Sequence, residues 1–292
     1  MVWELPAKDI EQLKKSTVVL SLSGGKDSTA CALLLERNGI EFHSVFFDTG
    51  WEHPVLYDYI EKTLKPRFGS IEVLKSKAFP MGMAQAVRHK GIFPSRRIRW
   101  CTDELKIRPR DAYLKKLEGP VINVVGIRRE ESPRRARYSR WQYNEKLDVD
   151  MYHPLVDHTV DDVIRMHREG DLAPNPLYLQ GLERVGCFPC INARKAEVAK
   201  LPDLYPARVN EIEQLERELV GRSEHSAARV FFGPRIGAEG GGIRQVVEWA
   251  QTDRGGMQFK LFDNTAEDGC TRWGLCDAAL SAEHLRKLTG DE

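Results

Sequence analysis

Residues 17–22 (TVVLSL) are a compact β-branched and aliphatic run that stops at a pair of glycines, a pattern that predicts a buried strand. Residues 29–37, rich in Ala and Leu, predict the helix that follows. A second strand is expected at 42–47 (FHSVFF), closed by Asp48-Thr49-Gly50, then a helix at 57–64. Further strands are expected at 71–74 and at 120–125 (PVINVV), the latter ending at Gly126. Strands alternating with helical segments predict an α/β fold with a doubly wound, mostly parallel sheet. After about residue 150 the pattern changes to helical segments, Pro and Gly turns and Cys-bearing stretches. The chain therefore reads as an α/β domain over 1–150 and an α-rich, Cys-containing C-terminal region over 151–292.

Composition narrows the class. With 41% hydrophobic and 30% charged residues in 292, the chain can bury a core and is too apolar for a disordered protein. No apolar stretch approaches the ~20 residues of a membrane span, and residues 1–15 carry acids and lysines where a signal peptide needs an apolar segment. No membrane partner and a cytoplasmic location are expected. Thiols stay reduced there, so the six cysteines read as metal ligands, catalytic groups or core residues.

The net charge is only +1, yet 14 lysines and arginines face six acids between residues 96 and 140, a local net of +8. A solvated basic face with internal ion pairs accounts for part of this. The favoured reading is an anion site for nucleotide phosphates or a nucleic-acid acceptor, because both arginine groups fall near expected strand ends.

Ser23-Gly24-Gly25-Lys26-Asp27-Ser28 lies between a strand and a helix. Two glycines allow a tight turn in which successive N–H groups face an anion. The helix N-terminus and Lys26 add positive charge, Ser23 and Ser28 offer hydroxyls, and Asp27 can cap the helix or hold Mg²⁺. The spacing is neither that of a Walker loop nor that of a dinucleotide fold.

Strand-SGGKDS-helix resembles the PP-loop of the ATP-pyrophosphatase and phosphoadenosine-phosphosulfate (PAPS) reductase superfamily, with an adenine-nucleotide α-hydrolase-like fold. Further matches appear in order over residues 15–200. Phe47-Asp48-Thr49-Gly50 resembles the DTG turn, and Arg99, Cys101, Lys106 and Pro109 resemble an Arg/Cys/Lys/Pro segment. Gly126-Ile127-Arg128-Arg129-Glu130-Glu131-Ser132 resembles G-x-R-x-x-E-S, and His153-Pro154-Leu155 with Asp161-Asp162-Val163 resembles a later signature. The resemblance implies that Ser23, Gly24, Gly25, Lys26, Asp27 and Ser28 hold nucleotide phosphates, with Asp48 and Gly126 beside them. It implies that Arg128 and Ser132 reach a phosphate or sulfate end, and that Lys26, Asp27 and Arg128 serve catalysis. Such chemistry needs cations and N–H donors around developing phosphate charge.

Cys187-Phe188-Pro189-Cys190 can chelate a metal or act as a redox pair, or stand in a turn without a ligand. With Cys101 and Cys276 it makes a four-thiolate set suited by count to a [4Fe–4S] cluster or to zinc. Cys270 is the alternative fourth ligand, and resemblance to iron–sulfur adenylylsulfate (APS) reductases favours the cluster. Cys31 falls on the apolar helix after the turn and reads as core. His43, His53, Trp51 and Trp100 read as structural, although either tryptophan can stack on a base.

Three functions are then distinguished. The favoured one is an ATP pyrophosphatase that uses ATP with Mg²⁺ to activate an acceptor for sulfur transfer. It resembles the iron–sulfur subunits of DNA phosphorothioation and implies a nucleic-acid acceptor and a sulfur-donor protein. The second is a PAPS/APS reductase that releases sulfite; its Glu-Cys-Gly-Leu/Ile-His tail is not found after Leu275-Cys276-Asp277. The third is a non-catalytic, zinc-bearing nucleic-acid-binding protein.

Overall fold

The computed structural model describes residues 3–220, 230–232, 241–252 and 273. In chain order the elements are α1 (Ala7–Lys14), β1 (Thr17–Ser21), α2 (Lys26–Arg37) and β2 (His43–Phe47). Next come α3 (Pro54–Tyr59), a π-helical turn (Ile60–Leu64), α4 (Lys65–Phe68), β3 (Ile71–Leu74) and α5 (Met83–Lys90). They are followed by α6 (Trp100–Thr102), α7 (Arg108–Leu114), β4 (Val121–Val124), β5 (Trp141–Asn144) and β6 (Val149–Tyr152). The described elements after β6 are helices: α8 (Val160–Glu169), α9 (Pro176–Leu179), α10 (Lys195–Ala199), α11 (Leu201–Leu204), α12 (Pro206–Glu218) and α13 (Ile243–Gln251).

The strands form one sheet in the order β3-β2-β1-β4-β6-β5. All pairs are parallel except β5 with β6. The sheet is thus doubly wound and mostly parallel, as the alternation of strands and helices predicts, with one antiparallel edge hairpin added. The chain winds outward from β1 to β3 and then returns to β4 on the other side of β1. That reversal leaves a crevice beyond the C-terminal ends of β1 and β4, where such sheets bind ligands.

β1 and β4 are central, and their middle residues Val18, Val19, Leu20 and Ile122 are almost fully buried. Helix α2 begins at Lys26, earlier than the expected 29, so the phosphate-turn residues Lys26–Ser28 belong to its first turn. Every residue from Ser28 to Leu35 is buried, because the helix is covered on one side by the sheet and on the other by α8. Glycine serves close packing here too: a Cβ on Gly170, just after α8, would stand 2.9 Å from Leu33.

A second apolar cluster draws on both halves of the sequence. Trp51, Phe79, Met83, Val87 and Leu105 pack with Leu177, Phe188, Ile212, Leu215 and Val246. The sequence division near 150 falls within β6, and residues from before it help to build the core of the helical region. Among the described residues no helix is long and apolar enough to cross a membrane.

Candidate functional site

The phosphate turn leaves β1 at the sheet's C-terminal edge. Gly24 has φ +71°, a left-handed conformation that glycine adopts without penalty, and a Cβ there would lie 2.4 Å from Leu56 Cδ1. The Ser28 hydroxyl accepts from the Ser23 N–H at 3.1 Å, lies 3.0 Å from the Ser23 hydroxyl and donates to the Gly25 carbonyl at 3.0 Å. These bonds brace the turn from within.

Lys26 is held from outside. Its backbone N–H donates to the Tyr178 hydroxyl at 2.8 Å, and its carbonyl accepts from His167 Nε2 at 2.9 Å. Its ammonium donates to the Glu183 carbonyl at 2.9 Å and lies over the Tyr178 ring. Burial lowers the Lys26 pKa; Asp27 raises it again, while Arg128 and Arg184 add to the fall. Tyr178 and His167 both pack against Trp273, the described residue nearest the C-terminus.

Across the crevice, Gly126 follows β4 with no room for a side chain. A Cβ there would lie 2.8 Å from the Asp27 carbonyl carbon and oxygen and 3.0 Å from the Ser28 nitrogen. The obstacle is backbone, so Gly126→Ala must displace the phosphate turn. We expect a loss of about 1–3 kcal/mol in stability and at least a roughly tenfold drop in turnover, since small displacements at a reacting centre are costly. Denaturant midpoint and turnover of this variant check the contact; wild-type values for both would sink it.

Arg128, whose side chain is 5% exposed, pairs with Asp27 and Glu130, and its backbone N–H donates to Glu131 at 2.9 Å. One carboxylate oxygen of Asp27, the sequence candidate for Mg²⁺, is thus engaged by Arg128. Ser132 accepts from the Arg135 N–H at 3.3 Å, a bond local to its own loop. Asp48 directly follows β2 and accepts from the Tyr57 hydroxyl at 2.7 Å and the Gly50 N–H at 2.9 Å, with Lys75 beside it. Burial pushes its carboxyl up, but those three partners outweigh it and leave the pKa below the ordinary value.

Cys101, Cys187 and Cys190 line one cavity of about 140 Å³, together with Thr49, Arg99 and Lys106. The DTG turn positions it. Cys187 bridges to Glu52 through the backbone, and the Phe188 N–H donates to the Trp51 carbonyl at 2.7 Å. Glu52 is buried and accepts from the Thr49 hydroxyl (2.6 Å), the Thr49 and Trp51 N–H groups (both 3.1 Å) and the Tyr57 hydroxyl (3.2 Å). The Cys187 thiol points at the same carboxylate, 3.7 Å away. Burial pushes that thiol up to about 11, against the pull of Lys106 and with the help of Glu52. Burial also raises Cys101. Arg184 lines this cavity and also acts on Lys26, so the phosphate turn and the thiols are neighbours on one edge of the sheet.

Among the described residues no group of three or more His, Cys, Asp or Glu side chains converges as a metal-donor set. Cys270 and Cys276 lie outside the described residues. Cys31 is fully buried in the core beside α2's leucines. His43 is exposed, whereas His53 accepts from the Val55 N–H at 3.2 Å as the cap of α3. Trp51 is buried in the second cluster, and Trp100 packs at its margin.

The basic stretch separates into two groups. Arg110 pairs with Asp111, Arg135 with Glu131, and Arg129 and Arg140 with Asp157. Arg96, Arg97, Arg99, Arg134 and Arg137 are exposed without a carboxylate partner among the described residues. Sequence reasoning missed Tyr178, His167, Glu52 and Arg184. The first two carry no local signal, whereas Glu52 and Arg184 stand close to motifs already recognised.

A phosphoadenosine phosphosulfate reductase domain profile matches residues 17–193 of this chain. An uncharacterised 37.8 kDa protein of Escherichia phage 186 is 30% identical, over 86% of this chain and 93% of its own length. Adenosine 5'-phosphosulfate reductase 1 of Bacillus subtilis is 31% identical over 50% of this chain, which spans 61% of that enzyme. Among solved structures, PAPS reductase from Candida auris superposes with a TM-score of 0.48 at 16% identity, covering 64% of this chain and 98% of that one.

Proposed function

The chain belongs to the phosphoadenosine phosphosulfate reductase domain family, and from that premise we propose that it reduces an adenylyl sulfate to sulfite and a nucleotide monophosphate. The observation that carries this reading is the thiol cavity beside the phosphate turn, at the edge where a doubly wound sheet binds ligands. The names of similar proteins, such as the Bacillus reductase, support the same activity.

In this reading the turn's N–H groups and Lys26 hold the nucleotide phosphate and stabilise charge as it leaves. The Cys187 proton passes to solvent as Lys106 offsets the charge left on sulfur, and the thiolate sulfur attacks the sulfate sulfur. The S–O bond to the nucleotide breaks and the nucleotide departs. A second cavity thiol then attacks Cys187 Sγ, a disulfide forms and sulfite leaves, its sulfur reduced by the two electrons of the thiols.

The four-thiolate set for a [4Fe–4S] cluster or zinc is the other use of these cysteines. Cys101, Cys187 and Cys190 share the cavity, but they do not converge as ligands among the described residues. Cys187→Ser is expected to lose sulfite release by about 10²-fold or more, together with any iron or zinc the protein carries. Full metal content in that variant would remove Cys187 from the ligand set.

A second reading rests on the exposed arginines that have no carboxylate partner among the described residues, which suit a polyanionic acceptor. ATP with Mg²⁺ would be cleaved to AMP and pyrophosphate to activate a nucleic-acid phosphate for sulfur delivered by a donor protein, as in DNA phosphorothioation. One assay separates the two. Anaerobically purified protein is given Mg²⁺ with ATP, or APS or PAPS with a thiol reductant, and pyrophosphate and sulfite are measured. Sulfite from either sulfonucleotide supports the reductase; pyrophosphate from ATP without sulfite overturns it in favour of sulfur transfer.

A further inference from the structure

Residues 183–187 connect the two halves of the site. The Glu183 carbonyl holds the Lys26 ammonium at 2.9 Å, and four residues later Cys187 bridges to Glu52 beside the DTG turn. Gly186, with φ +149°, lets the chain turn between these anchors. Arg184 follows the first anchor, and its side chain lines the thiol cavity with Arg99 and Lys106.

Among the described residues the cations outnumber the carboxylates: Arg99, Lys106 and Arg184 face Glu197 in the lining and Glu52 beside Lys106 and the Cys187 thiol. Neither Arg99 nor Arg184 has a carboxylate partner among the described residues. Glu52 offsets Lys106, Glu197 caps α10 by accepting from the Arg194 N–H at 2.9 Å, and the Glu183 side chain pairs with Arg194. Asp27 is committed to Arg128. With Lys106 offset by Glu52, Arg99 and Arg184 leave a surplus of positive charge, and a concave positive surface concentrates anions. Arg184 also acts on Lys26, so its charge reaches the phosphate turn as well.

We propose that Arg184 is a specificity-determining residue that binds the tetrahedral oxyanion attached to the adenylyl phosphate and directs it toward the thiols. The ligand class is a nucleotide-borne sulfate or phosphate. A guanidinium suits it, because its fork of donors can engage two oxygens at once. The inference rests on the adenine-nucleotide reading above and names the residue that distinguishes the transferable group from the nucleotide itself.

Equilibrium binding of AMP, ADP and adenosine 5'-phosphosulfate to wild type, Arg184→Ala and Arg184→Lys tests this without turnover. Wild type is expected to bind the two oxyanion-bearing nucleotides more tightly than AMP. Arg184→Ala should lose about tenfold for both, keep AMP affinity within about twofold, and so erase the preference. Arg184→Lys should restore part of it, as a point charge without the fork. Equal losses for all three ligands would overturn the proposal, making Arg184 a support of the phosphate turn. An undiminished preference in Arg184→Ala would overturn it too, while leaving the adenine-nucleotide reading intact. Wild type that binds none of the three would overturn that reading and this proposal together.

Discussion

Lys26→Ala is expected to lower nucleotide turnover by about 10²–10³-fold, the usual cost of removing one preorganised donor from developing charge, while the protein stays folded. Its side chain is 13% exposed, and its described partners are a carbonyl, an aromatic face and the loosely placed Asp27 carboxylate at 3.8 Å. An ammonium has three donors, and the Glu183 carbonyl takes one, which leaves capacity for phosphate oxygens. The backbone groups of residue 26 would keep their bonds to Tyr178 and His167 in the variant, so the turn retains its shape. Steady-state turnover, with circular dichroism melts as the control, checks both halves of the expectation. Undiminished turnover would remove the PP-loop assignment.

Asp27→Ala is expected to lose turnover as well, but not to keep the fold's stability. Sequence alone offers Asp27 as a cap of the helix or a holder of Mg²⁺. The structure gives it an ion pair with Arg128, a side chain 5% exposed. Removing one member of such a pair leaves a charge stranded, at a cost of about 3 kcal/mol; Glu130 and the partial exposure of Asp27 hold it toward the low end. Urea denaturation should show the shift. Replacing both partners, Asp27→Ala with Arg128→Met, should recover much of the stability and none of the turnover. A single variant as stable as wild type would show that the pair contributes nothing to folding.

What the sequence made legible was whatever is local in the chain. The phosphate turn, the DTG turn and Gly126 announce themselves because a few neighbouring residues dictate the backbone, and the Cys187/Cys190 pair is visible from its spacing. The central strands are legible because burial on both faces leaves β1 and β4 almost uniformly apolar. The hairpin of β5 and β6 escaped, since Trp141–Asn144 and Val149–Tyr152 are only four residues each and mix polar with apolar positions, without a clean run of either kind. The start of α2 was placed late, because Lys26–Ser28 looked like turn rather than helix. The groups that hold Lys26 lie far away in sequence, Tyr178 by 152 residues and His167 by 141. No window of local pattern reaches across that distance. Arg184 is a different case: it stands three residues before Cys187, but only the cavity reveals that its charge lacks a carboxylate counterpart among the described residues.

The grip on Lys26 bears on how such proteins are cut and compared. Its N–H, carbonyl and ammonium are all engaged by groups from α8, α9 and the loop after them. A gene fragment ending at residue 150 would encode every residue of the SGGKDS signature and the strands on either side. It would nonetheless lack all three tethers, and a match to the signature alone would overstate what the fragment can bind. The inheritable unit is the turn together with its distant clasp, and domain shuffling that separates them breaks the site without altering a letter of its motif.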